Sequence, residues 1–507
     1  MEIEGPQQPN PTQIAAAKRA KRLLVLVVSL FLAVNGAILY RVLHQPELNY
    51  EGKTVTQWLA TIRGTEPDPQ VVNAFGSDAW PSLIKALGQK DSAFKNACFQ
   101  FLDKLASATP LKLQKIRPLD AETLRLRSRF WLMQLGPDAK ESVPELIKWV
   151  REEKDPEIRA AGISVLGFVG LESPEALSAL IEVLSDPVTA MMKDFILDDS
   201  PAIAVGRFGT RAEPAVVLLV ELIRKRKPLG PRNEVVALGM IGREAKEAVP
   251  TLVELLGEQA LRNNALNALA EIGSVAAEAV PALVQCLKDS QPQTWPPILE
   301  ILMKTGPPAS EALPALMEVE SGQTGVLRVL ATVATARIRN QPEHAVPALI
   351  EALQQEGGFS SEPAWTVRIP TWRSPVPIPV RLGPKETAAW LLAELGPVAK
   401  GALPVLAKIV SEKDSRLQTL AARAIWKISQ DQAAALPILN QALKQKDELT
   451  FHTALKTCEE MGTKARPAAV SLAGFVADKK NPWSDRREVL EVLRKIDPES
   501  AAGLSLR

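Results

Sequence analysis

A spacing limits this chain more than any other feature of it. In IGREAKEAVPTLVELLG (241–257), take Gly242 as position zero. Alanines follow at +3 and +6 (Ala245, Ala248), an aliphatic at +7 (Val249), proline at +8 (Pro250) and leucine at +10 (Leu252). The register returns at Gly136, Gly273, Gly306 and Gly396, with Pro144, Pro281, Pro314 and Pro404 in the proline slot. Weaker copies set Pro347 and Pro437 eight residues after Arg339 and Ser429, and put Ser178, Val217 and Val470 in the slot after Gly170, Gly209 and Gly462. From Val217 the slots advance by 33, 31, 33, 33, 57, 33 and 33 residues. A fixed period of this length is the mark of a stacked repeat.

Each unit has a physical reading. Positions +3, +6, +7 and +10 make one apolar helix face, and −8, −5, −4 and −1 make another, as in Ala265, Ala268, Leu269 and Ile272. A unit is therefore two amphipathic helices, closed by a glycine that accepts a left-handed backbone. One pair cannot bury both stripes, whereas a stack can. The expected fold is all-α, a right-handed α-solenoid of roughly 11 helix pairs. The proline is expected to interrupt the first helix near its second turn and bend it.

The pattern LGPVAKGALPVLAKIV (395–410) followed by RLQTLAARAIWKIS (416–429) resembles bacterial HEAT repeats, including the proline of the first helix. The resemblance spans about residues 71–497 and implies an architecture, not an activity. The tetratricopeptide and ankyrin signatures, which share a period near 33, are missing.

The start of the chain sets its expected compartment. Residues 1–22 are a polar tail that ends in KRAKR (18–22). LLVLVVSLFLAVNGAILY (23–40) follows, long enough as a helix to span about 27 Å of hydrocarbon. Four cations precede it and Arg41 alone follows. This predicts an uncleaved anchor over 23–43 in a bacterial cytoplasmic (inner) membrane, N-terminus inside and repeats on the periplasmic, outer side. YEGKTVTQWLATI (50–62) reads as a capping helix, with Thr54 and Gln57 at capping-box spacing and Val55, Trp58, Leu59 and Ile62 as its apolar face. It resembles a segment found between membrane helix and repeats in anchored HEAT proteins. Residues 50–70 thus form a cap and linker, and 71–507 the repeats.

Little in the sequence supports chemistry. Lys and Arg total 60 against 58 Asp and Glu, so no basic track for nucleic acid is expected. Cys98, Cys286 and Cys458 are far apart and lie in apolar helical patterns, which suits small buried hydrophobes. His44, His344 and His452 lack partners at metal-ligand spacing. EGKT (51–54) lacks the upstream glycine and strand of a phosphate-binding loop, and SLIK (82–85) lacks its partner motifs. RKRKPLGPR (224–232) reads as cations at a helix C-terminus, and Arg127 of RLRSR (125–129) is expected to point outward beside Trp131. No cofactor, metal or catalytic set is expected.

One segment breaks the period. The 57-residue step comes from an inserted loop over 357–386, where WTVRIPTWR meets the extended or polyproline run SPVPIPV. Insertions in solenoids collect on one face, often the binding face. Trp365, Arg368, Trp372, Arg373 and Arg381 form a candidate recognition surface, against the alternative that the tryptophans only hold the loop down. The expected function is a membrane-tethered scaffold that binds another protein. A lyase of the HEAT-like type and an envelope spacer are the alternatives.

Overall fold

The computed structural model describes residues 48–506 apart from 63, 65, 93–119, 187–199, 227–231, 356–363 and 372–373. The tail, the expected anchor at 23–43, Cys98, Trp372 and Arg373 lie outside the described residues. The chain divides into two compact units, Met1–Val55 and Thr56–Arg507. In the first, β1 (Asn49–Tyr50) and β2 (Lys53–Thr54) pair antiparallel. Their turn, Glu51–Gly52, has φ of 50° and 73°, as a two-residue hairpin of the tightest class needs.

The second unit is a stack of helix pairs. Its second helices are α1 (Pro69–Phe75), α2 (Ala121–Leu135), α3 (Pro156–Val169), α4 (Pro201–Gly206), α5 (Arg232–Ile241), α6 (Arg262–Ile272), α7 (Trp295–Thr305), α8 (Gly325–Ile338), α9 (Pro384–Leu395), α10 (Ser415–Ser429), α11 (Glu448–Met461) and α12 (Trp483–Ile496). Among the described residues, α2 to α12 each follow a first helix, which makes eleven pairs. From α2 onward the second helices pack on one another in sequence and are buried on nearly every face; α8 leaves only Gly325, Arg328 and Arg337 less than fully buried. First helices keep a solvent face. Val280–Asp289, for example, buries only Val280, Leu283 and Leu287. Second helices are thus the inner layer and first helices the outer one.

Two devices repeat through the inner layer. Successive second helices approach closely at small residues: a Cβ on Gly206 would lie 3.0 Å from Cα of Ala237, and one on Gly239 would lie 3.1 Å from Cα of Ala268. A polar side chain eleven residues before position zero also clamps the end of its own first helix. Arg159 Nε donates to Val150 O (2.8 Å), Arg262 Nε to Leu256 O (2.7 Å) and Gln418 Nε2 to Val410 O (2.9 Å). Each satisfies a carbonyl that the helix end leaves without an internal partner.

The proline stands differently from the sequence expectation. Gly242–Ala248 is a 3₁₀ segment, and the α-helix opens at Val249 with Pro250 in its first turn. There the missing N–H costs nothing and the fixed φ suits the helix. The break falls earlier, at Ala245 (φ −86°, ψ 22°), and recurs at Ala139, Ala276, Ala309 and Ala399. The shared apolar face misled because residues three apart eclipse in a 3₁₀ turn. Ala245 and Ala248 are buried that way, and Val249 and Leu252 continue the stripe in the α-helix.

The glycine holds φ of 75° and ψ of −139° at Gly273, with near-identical values at Gly306 and Gly396. This is a positive-φ conformation outside the left-handed helical region, so the expectation of a left-handed cap is corrected to a stricter requirement for glycine. Where the zero position is Arg339 or Ser429, the turn comes one residue later, at Asn340 and Gln430.

The insertion is a β-hairpin, not a loop. β3 (Trp365–Thr371) pairs antiparallel with β4 (Ser374–Leu382), from Trp365 opposite Leu382 to Thr371 opposite Ser374, with an irregularity after Ile369. Pro375, Pro377 and Pro379 alternate along β4, so their missing N–H groups share one edge. That edge faces away from β3, and the extended run read as polyproline is an edge strand blunted against further pairing. Arg127 also differs from expectation. Its guanidinium turns inward, donating to Leu59 O (2.7 Å) and Gly64 O (3.2 Å), where it caps the helix Val55–Thr61. Burial holds its pKa below the usual arginine value.

Two further stretches, Arg262–Asp289 and Pro384–Ile409, are long and apolar enough to cross a membrane. Each is a second helix, a glycine turn and the next first helix of the stack.

Two expectations follow. Gly273→Ala places a side chain in open space, so its cost is backbone strain alone, about 1–3 kcal/mol. Gly322→Ala, at an exposed helix end with ordinary φ, is neutral or stabilising; urea unfolding of the two variants separates them. Val470 occupies the proline slot of its unit and is 83% exposed. Val470→Pro should raise stability by about 0.4–1 kcal/mol in the same assay.

Candidate functional site

The two edges of the stack differ. Turns from a second helix to the next first helix are short and nearly uniform: 3₁₀ segments of seven residues at Gly136–Ser142, Gly209–Ala215, Gly242–Ala248, Gly273–Ala279, Gly396–Ala402 and Gly462–Ala468, shorter ones at Gly76–Ala79, Pro307–Ala312 and Pro342–Ala345, and brief turns at 170–173 and 430–431. In the other sense the described connections are as short as Gln323–Thr324, and one of them carries the hairpin. Because the helices of each pair run antiparallel, the hairpin leaves from the edge opposite these turns.

The hairpin is tied to the inner layer. β3 packs against α7 and α11, inner helices four steps apart, so it lies across the inner side of the stack. Trp365 is 4% exposed, and its Nε1 donates to Glu300 Oε2 on α7 (2.8 Å). The other Glu300 oxygen accepts from Lys304 Nζ at 2.7 Å. Val367 and Leu382 are buried beside it. Strand alternation sets positions 365 and 367 on the anchored face and Thr366 on the opposite one, in register with Arg381, which is exposed. Of the sequence-derived candidates, then, Trp365 is the anchor and Arg381 faces solvent. Arg368 is placed by its backbone alone, opposite Pro379.

Several of the other side chains considered from sequence are taken up in the packing of the stack. His452 is buried on α11, edge-on to Phe451, with Nδ1 3.5 Å from Glu488. Cys458 is fully buried and its thiol is pushed up to about 12 by desolvation, while burial also raises Cys286. Arg224 donates to Thr251 Oγ1 across two outer helices (3.1 Å). Among the described residues no group of three His, Cys, Asp or Glu is arranged to hold a metal.

A second site had no signal in the sequence. The last inner helix, α12, packs against the first two, α1 and α2, so the inner layer closes on itself. Arg486 makes the clamp common to other units, Nε to Val476 O at 2.6 Å. Its Nη1 then reaches Asn73 Oδ1 on α1 and Leu506 O. Asn73 returns two bonds, to Lys479 O (2.9 Å) and Asn481 O (3.0 Å). Beside them Trp483 Nε1 donates to Asp138 Oδ2 (2.7 Å), and Arg487 sits within 3.6–3.8 Å of Glu172 and Asp138. Arg486 and Asn73 are each 1% exposed. Desolvation lowers the Arg486 pKa from its ordinary value.

Residues 215–295, which cover the most regular turns, match the family model of HEAT repeats. Over those residues the chain carries HEAT repeats. Among curated proteins none matches its sequence. Solved structures similar to it include the karyopherin Kap121p bound to the SUMO protease Ulp1p, at 13% identity and a TM-score of 0.39, over 86% of this chain and 55% of that one. Kap121p bound to Pho4p matches at 13% identity and 0.39, over 84% and 50%. Kap95p, in a structure with RanGDP, matches at 12% and 0.33, over 80% and 56%. The chain thus spans about half the length of these karyopherins.

The anchor can be separated from the exposed face by mutation. Trp365→Phe keeps the ring and removes the donor to Glu300, and should weaken the hairpin by about 1–3 kcal/mol. Arg381→Ala should stay within about 0.5 kcal/mol of the parent. Hydrogen exchange of the β3 and β4 amides reports both.

Proposed function

We propose that this protein is a membrane-tethered, non-catalytic scaffold that binds another protein along the edge carrying the hairpin. Residues 23–43 span the cytoplasmic membrane, with the N-terminus inside and the repeats outside. The observation that carries the binding reading is the inequality of the two edges, one made of short turns and the other carrying a hairpin fixed by its own tryptophan. Variable connections gathered on one side of a rigid stack are where solenoids place recognition. The inner helices, which an open solenoid would offer to a partner, are buried here in their own packing. The tether rests on KRAKR ahead of eighteen apolar residues and on the cation bias across them.

One preparation of native membranes tests both parts. A photo-crosslinking residue at 381, on the hairpin, should capture a discrete protein adduct, whereas one at exposed position 400, on the uniform edge, should not. Adducts from 400 alone would assign the partner to the wrong edge. A cysteine placed at exposed Lys413, with the native cysteines replaced by alanine, should react with an impermeant maleimide in intact cells. Labelling only after permeabilisation would put the repeats in the other compartment.

A further inference from the structure

The closing junction between α12 and the pair α1 and α2 joins helices far apart in the chain. Successive inner helices meet along apolar stripes with close approaches such as Gly206 on Ala237, and some add a polar tie, as Lys304 Nζ does to Ala270 O (2.9 Å). The closing junction is held by polar groups, Arg486 with Asn73 and Trp483 with Asp138. It also retains a cleft of about 320 Å³, lined among others by Ser77, Asp138, Trp483, Leu490, Leu504 and Leu506.

The segment after the helix Pro498–Ala502 completes that junction from below. Leu504 and Leu506 pack on the apolar cluster formed by the last units, and Leu506 O accepts from Arg486 at 2.9 Å. Arg486 Nη1 therefore serves two acceptors, one on α1 and one on this segment, while Nε stays on Val476. A guanidinium is a rigid planar fork, so the position of one acceptor constrains the geometry available to the other. Moving the segment frees Arg486 from one of the two groups that aim it at Asn73.

We propose that residues 503–506 are a strap that sets Arg486 and so holds a gate between α12 and α1 closed. Release of the strap parts α12 from α1 and α2 and admits solvent to the inner layer. The gate lies apart from the hairpin edge and stands whatever binds there. Opening at one junction needs no unfolding of the intervening units, because each repeat depends chiefly on its neighbours.

Hydrogen exchange on the full chain in detergent tests the proposal. In the parent protein under mild urea, α1 and α12 should open at lower denaturant than any inner helix from α5 to α8. With Leu504→Asp and Leu506→Asp together, amides of α1 and α12 should exchange at least tenfold faster while α5 to α8 keep their rates. Asn73→Ala should reproduce the α12 effect with the strap intact. Faster exchange confined to 498–506, with α1 unchanged, would overturn the strap. Opening of α5 to α8 together with α1 would overturn the gate.

Discussion

The buried guanidinium of Arg486 is the interaction on which the closed arrangement depends. Elsewhere in the stack the same position ties a second helix to the end of its own first helix, and Arg159 adds a reach forward to Asp186 on the next unit (2.8 Å). Arg486 repeats the backward bond and makes its forward bond to Asn73, 413 residues earlier. The first inner helix thus stands where a next repeat would stand. Burying an ammonium or guanidinium is costly unless its donors are satisfied, and here backbone carbonyls and an amide oxygen supply acceptors on three separate elements. That requirement makes the closure specific: a shifted end would leave a cation buried without its partners.

Closure moves the functional question outward. In a stack that remains open, the inner helices are a concave surface on which a partner can lie. Here they pack on one another around to the first, and Trp365 brings a hairpin across what inner side remains. Glu300 gives the hairpin a charged, hydrogen-bonded anchor, and the alternate prolines of β4 leave its outer edge unable to recruit another strand. What a partner can meet is the outer layer and the two edges, and among the described residues one edge alone carries a hairpin.

Much of this was legible because it is local. The glycine period reports a backbone conformation that other residues avoid, and it recurs at most places where one unit hands over to the next. The proline was legible in place and misread in role, since a 3₁₀ turn running into an α-helix keeps the apolar stripe of one continuous helix. The hairpin had a period-two signal in the alternate prolines 375, 377 and 379. The same prolines also suit a polyproline run, and only a paired strand decides between them. Arg127 was misplaced because its acceptors, the carbonyls of Leu59 and Gly64, belong to a segment more than sixty residues away.

The closure was not legible at all, for a reason more general than distance. Whether a stack of repeats meets its own beginning depends on a small rotation per unit summed over all of them, and no single unit states that sum. Such a closure also fixes the number of units. An added or missing pair would carry α12 past Asn73 or short of it and leave Arg486 without its forward acceptor. A spacer has no need of a fixed count, since its length can change one repeat at a time. A surface that must present one edge and one hairpin in a constant geometry does need it, and this favours recognition over mere span as the reason for the architecture.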